Sequence, residues 1–419
     1  MRMTLLIKNA MVNGKKQSIL IEGNRISSIG KVADKSGMVI DGAGKAAVPA
    51  LFNCHTHAAM SLFRGYADDM PLHAWLNDKI WPLEAKLTAE DVYWGTKLAI
   101  LEMIKTGTTF FNDMYWHPLE TAKAAEEMGV RAAVSAIFLD FGDEEKAAHF
   151  RDEARRLFWR KDEFSPRIQL AVAPHSIYSV SRPTLAWARD FAKKHQARLH
   201  IHLSETEREV KDCVAKNGMR PIAYADDVGL LSERTIAAHC IWLDDDEIRM
   251  LAEKKVTAVY DAVSNMKLAN GSFFPYDRLK NAGVNICLAT DGAASSNALD
   301  MFTEMKVATI LQKHMTGSPA AFPHGEVFSC ATKHGAKAFG INAGVVAEGK
   351  LADILMIDRR QVSMVPYFDL TSNLVYSANG SVVDTTICDG VVLMEGRKVD
   401  GEEEIMDKAD EAAQGLVQR

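Results

Sequence analysis

Two histidines one residue apart, His55 and His57, close the apolar run Val48-Pro49-Ala50-Leu51-Phe52-Asn53-Cys54. In a β-strand, residues i and i+2 share a face, so both imidazoles can aim at one point from a strand end. Neutral imidazoles that converge in this way are half of a transition-metal site. Alone, His-x-His also reads as two polar residues in a turn, so the rest of the chain must supply partners. Three later runs do so. Leu199-His200-Ile201-His202-Leu203-Ser204-Glu205, Ile236-Ala237-Ala238-His239 and Cys287-Leu288-Ala289-Thr290-Asp291 each carry an apolar strand into an imidazole or a carboxylate. His55, His57, His202 and Asp291 make a mononuclear ligand set with one position left for water. His200 shares a face with His202 but lies deeper, where a hydrogen-bonded core histidine is expected. Glu205, three residues beyond His202, is placed for general acid/base work. A cation lowers the pKa of a bound water to ~7, and a nearby carboxylate takes that proton and hands it to substrate. His239 reads as a catalytic or metal-adjacent group. The competing structural readings are a helix cap for Asp291 and, for Glu205, a first-turn carboxylate favoured by the helix dipole.

These side chains need strands to carry them. From about residue 48 the chain repeats strand, loop, helix. β-rich runs at 48–57, 107–113, 130–139, 168–175, 197–204, 235–240, 256–260 and 284–291 are mostly continuously apolar, as in a parallel sheet covered on both faces. Helical patterns fill the gaps, with Thr88 ahead of Asp91 and Ser181 ahead of Thr184 as caps. Eight βα units predict an α/β fold of the (β/α)8 TIM barrel type, with a doubly wound open sheet as the alternative. Polar residues at strand C-termini all round the set favour the barrel. Asn13-Gly14, Gly23-Asn24 and Asp389-Gly390 are hairpin signals at the two ends of the chain. They predict a small β-sandwich domain built discontinuously from residues 1–48 and 345–419, with a peripheral helix after 401, around a catalytic domain at 49–344.

Composition excludes several functions. Of 419 residues, 25% are charged and the net charge is -6, so nothing favours nucleic acid. The N-terminal apolar run is broken early by Lys8 and Asn9, too soon for a signal or membrane segment. Six scattered cysteines, with no C-x-x-C pair, read as reduced thiols of a cytoplasmic protein.

With His55-x-His57, His202-x-x-Glu205, His239 and Asp291 in this order, the chain resembles the amidohydrolase superfamily. Within it, the likeness is to the 5'-methylthioadenosine/S-adenosylhomocysteine deaminases and their chlorohydrolase relatives. Leu62-Phe63-Arg64-Gly65, Ile80-Trp81-Pro82-Leu83-Glu84, Gly107-Thr108-Thr109 and Ser264-Asn265-Met266-Lys267-Leu268-Ala269-Asn270-Gly271 carry it further. The resemblance implies a hydrolytic deaminase (a C–N hydrolase of cyclic amidines) acting on an adenine nucleoside. Candidates are 5'-methylthioadenosine, S-adenosylhomocysteine, adenosine and 5'-deoxyadenosine. It implies one divalent metal held by His55, His57, His202 and Asp291, zinc first, with iron or manganese also suiting the set. Glu205 would serve the ring nitrogen, His239 would hold the attacking oxygen, and Asp291 would pass a proton to ammonia. Glu84 and His175 would hold the nucleoside. A homo-oligomer is implied as well. The family's arginine for the substrate's distal end is missing from 134–140, and Arg131 stands early in that strand. The alternative is a deaminase or chlorohydrolase of a triazine, guanine-like or pterin ring. A non-catalytic scaffold would have lost a ligand or Glu205, and none is lost.

Overall fold

The computed structural model describes residues 4–32 and 37–419, so 1–3 and 33–36 of the predicted N-terminal segment lie outside the described residues. The chain opens with β1 (Thr4–Val12), β2 (Lys15–Glu22), β3 (Arg25–Gly30), β4 (Met38–Asp41) and β5 (Lys45–Pro49). The β1–β2 hairpin turns on Asn13 and Gly14, with φ of 49° and 77°. Positive φ at both positions gives a turn whose twist matches the strands it joins. After the barrel, β14 (Ile354–Asp358), β15 (Val383–Cys388) and β16 (Val391–Met394) complete one eight-stranded mixed sheet. Its order is β16-β15-β14-β5-β1-β2-β3, with β4 paired to β1. Leu5, Ile7, Ile19, Ile21, Ile354 and Met356 line its own apolar core.

Between these ends the strands are β6 (Leu51–Thr56), β7 (Thr108–Asp113), β8 (Arg131–Phe138), β9 (Ile168–Pro174), β10 (Arg198–Leu203), β11 (Thr235–His239), β12 (Thr257–Tyr260) and β13 (Asn285–Leu288). All neighbouring pairs are parallel and run in chain order, and helices alternate with them, which is the (β/α)8 barrel. The seam between β13 and β6 is bridged largely by side chains. The Asn53 amide donates to Thr290 Oγ1 (2.7 Å) and accepts from the Thr290 N–H (3.0 Å). The Asp291 N–H donates to the His55 carbonyl (3.2 Å), and Thr56 Oγ1 donates to the Asp291 carbonyl (3.0 Å). Closure therefore fixes two site residues against each other.

The run at 48–57 is not one strand. Lys45–Pro49 pairs antiparallel with β14 in the small sheet, and only Leu51–Thr56 enters the barrel. Pro49 ends the first piece, because proline has no N–H to continue a ladder. Ala50 then donates to the Asp353 carbonyl (3.1 Å). Arg131 is taken up in the same junction. Its guanidinium pairs with Asp353 (2.8 Å) and with Asp389, well inside the protein, so it is no substrate ligand. The Thr88 capping box forms as expected, whereas the Ser181 hydroxyl donates to Asp140 (2.8 Å) instead of capping its helix. The final helix, Glu402–Gln418, packs Ala409 and Leu416 into an apolar cluster on the barrel. Among the described residues, no helix is long and apolar enough to cross a membrane.

Candidate active site

The predicted ligands meet at the C-terminal mouth of the barrel. His55 ends β6 fully buried, with His57 just past it. Asp291 Oδ1 lies 3.3 Å from His55 Nε2 and 3.3 Å from His57 Nε2. His202 Nε2 lies 3.3 Å from His55 Nε2. Ligands ~2.0–2.1 Å from a tetrahedral cation stand about 3.3 Å apart, so this spacing fits one transition-metal ion.

The tautomers fit as well. His57 Nδ1 is 2.6 Å from the Met114 carbonyl, and His202 Nδ1 is 2.8 Å from the His175 carbonyl. A carbonyl only accepts, so each Nδ1 carries the proton and each Nε2 keeps its lone pair. Outer partners of this kind orient metal-binding imidazoles. Burial pushes His55 down to about 4 and His202 well below the usual imidazole range, which keeps both rings neutral. Burial would raise the Asp291 carboxyl. The hydrogen bond with His55, helped by the neighbouring imidazoles of His57 and His239, holds it well below the carboxylate range instead.

His239 lies close enough to join His55 and His202 in a second triad. Its surroundings set it apart. Nδ1 faces Asn265 Oδ1 (2.9 Å) and Asp261 (3.4 Å), and Nε2 stands 3.9 Å from Glu205. Burial alone would lower it, but Glu205, Asp261 and Asp291 raise it to about 9. A ring protonated at neutral pH donates hydrogen bonds and has no lone pair for a cation. Glu205 is anchored through Oε1 by the Asn270 amide (3.0 Å).

Glu84 and His175 both border the same cavity, about 660 Å³ with the open space at its mouth included. Burial pushes Glu84 up to about 7 and His175 down to about 3. His175 Nδ1 contacts Ser179 Oγ (2.9 Å). Leu72, Leu76 and Trp81 wall one side, and Ile137 and Leu139 come from the end of β8. Among the described residues, no lysine or arginine lines this cavity.

Several site residues escape the sequence reading. Ser264 and Ser295 donate to Asp291 Oδ2 (2.6 and 2.9 Å), and Asn265 and Asn270 serve His239 and Glu205. The stretch 264–271 that carries the family likeness therefore touches three of the predicted site residues. His200 is buried as expected, but its Nε2 lies 2.9 Å from His55 Nδ1, so it supports a candidate ligand as well as the core. Ser204, His239 and Asp291 all have positive φ, of 54°, 70° and 58°. Strain of this kind at strand ends marks backbones held for function.

Fold and site together define a (β/α)8 barrel with a candidate metal-binding pocket at its strand ends. The amidohydrolase family model matches residues 46–393, and the chain belongs to that family. It is 48% identical over 420 residues to the 5-methylthioadenosine/S-adenosylhomocysteine deaminase 1 of Archaeoglobus fulgidus, covering 99% of each chain. It is 49% identical over 382 residues to the 5'-deoxyadenosine deaminase of Methanoregula boonei, covering 91% of this chain and 86% of the relative. A zinc-bound adenosine deaminase from Xanthomonas campestris superposes with a TM-score of 0.92 at 32% identity, covering 100% of this chain and 99% of its own.

Proposed function

We propose that this chain is a metal-dependent hydrolytic deaminase of adenine nucleosides whose 5' substituent is small and uncharged. The observation that carries the reading is a cavity floored by His57, His202, Glu205, His239 and Asp291 and walled without any lysine or arginine among the described residues. The relatives' names supply the adenine nucleoside. Glu84 favours a ribose-bearing substrate over a bare triazine or guanine-like ring, because a carboxylate there can accept two sugar hydroxyl hydrogens.

His55, His57, His202 and Asp291 would hold the cation. Zinc is supported by the zinc-bound solved relative and by the His/carboxylate set. When bound, the cation supplies a water that ionises near neutral pH. Glu205, with Oε1 fixed by Asn270, moves a proton to the ring nitrogen next to the attacked carbon. His239 holds the incoming oxygen as a hydrogen-bond donor. Asp291, steadied by Ser264 and Ser295, passes a proton to the departing ammonia. Glu84 and His175 fix the nucleoside.

Ammonia release from 5'-deoxyadenosine, 5'-methylthioadenosine, adenosine, S-adenosylhomocysteine, guanine and melamine tests this. The homocysteine tail would bring a carboxylate to a wall with no guanidinium to pair it. An unpaired charge costs ~1–3 kcal/mol or more, so kcat/KM for S-adenosylhomocysteine should fall about 10–100-fold below the first two. Equal or better turnover of S-adenosylhomocysteine would overturn the specificity, and silence on every adenine nucleoside would overturn the reading itself.

A further inference from the structure

We infer that Glu209 is the positioning residue that aims Glu205, by clamping the strained turn that carries it. This rests on the acid/base role of Glu205 proposed above. The helix Glu207–Asn217 starts at the N-cap Thr206, whose Oγ1 accepts from the Glu209 N–H (3.1 Å). Thr206-x-x-Glu209 has the spacing of a capping box, in which the glutamate returns to the N-cap N–H. Glu209 reaches further back. One carboxylate oxygen accepts from the Ser204 N–H (2.9 Å) and the other from the Glu205 N–H (2.8 Å).

The clamp sits where it is needed. Ser204 is held at φ 54°, the left-handed region that is strained for a residue carrying a side chain. The Ser204 carbonyl is tied to the next strand end by the N–H groups of Ile241 (3.0 Å) and Trp242 (2.9 Å). The peptide before Glu205 is therefore fixed on its carbonyl side by the β11 end and on its N–H side by Glu209. Glu209 is 5% exposed, so water does not compete for these bonds. His202 is held separately, through its Nδ1 and its backbone N–H, both to the His175 carbonyl. Glu209 thus acts on the proton-carrying carboxylate and leaves the ligand set alone.

The test compares Glu209→Ala and Glu209→Gln in the wild-type and Glu205→Gln backgrounds, with kcat, KM, metal content and circular dichroism read for each. Glutamine keeps the shape but turns an amide NH2, a donor, toward one of the two N–H groups. In the wild-type background both changes should lower kcat, alanine by about 10²-fold as expected for ~1 Å of misplacement. Metal content and KM should stay near wild type. In the Glu205→Gln background the same changes should cost less than ~3-fold, because the group they aim is already disabled. Equal fold losses in both backgrounds, or loss of metal or of folding in both variants, would overturn the inference. An active Glu205→Gln parent would instead overturn the acid/base reading, so the two failures are distinguishable.

Discussion

Glu205→Gln is expected to lower kcat by about 10³-fold, within the ~10²–10⁴ range for general acid/base groups, while the protein still binds one divalent cation. The separation of effects comes from geometry. Glu205 is bound by Asn270 and stands 3.9 Å from His239, and no ligand imidazole depends on it for its tautomer. Glutamine keeps the size and the Asn270 contact but cannot carry a proton between water and ring nitrogen. Deamination suffers more than release of a good leaving group would, because ammonia leaves only after protonation. Steady-state kinetics with elemental analysis of the same sample check this. A Glu205→Gln protein with near wild-type kcat would end the assignment.

His55→Ala is expected to remove the metal and the activity together. His55 is fully buried, touches Asp291 and His202 through Nε2, and is backed by His200. Replacing a mere outer partner of a metal ligand costs 10–100-fold in affinity, so loss of a ligand itself should weaken binding by at least ~10²-fold. The change also leaves a cavity and strips His200 of its partner, so circular dichroism should accompany the metal analysis. Full metal content in a folded His55→Ala protein would show that the ligand set is misassigned.

Much of this site is legible in the sequence because each group ends an apolar run. A strand that must be buried and yet finishes on His, Asp or Glu announces its polar end, as at His55, His202, His239 and Asp291. The barrel is legible for the same reason, from repeated apolar runs separated by helical periods. The break at Pro49-Ala50 is not, since 48–57 stays apolar through two different sheets. The tie between Arg131 and Asp353 is not legible either, because no local pattern links residues 222 apart. Ser264 and Asn265 sit on the short helix Ala262–Lys267 and Asn270 just past its end, and no periodicity records that this segment folds over the strand ends. Glu209 carries a capping-box signal, but its acceptor role toward Ser204 and Glu205 follows from a left-handed turn visible only in three dimensions. The apolar wall from 72–81 looks like any amphipathic surface helix until it closes over the pocket.

Anomalous X-ray diffraction at the zinc edge, on crystals of the metal-loaded enzyme, tests the metal centre most directly. One peak at ~2.0–2.2 Å from His55 Nε2, His57 Nε2, His202 Nε2 and Asp291 Oδ1 is the expected result. A peak elsewhere in the molecule, or one bound through His239 in place of His57 and Asp291, would contradict the account.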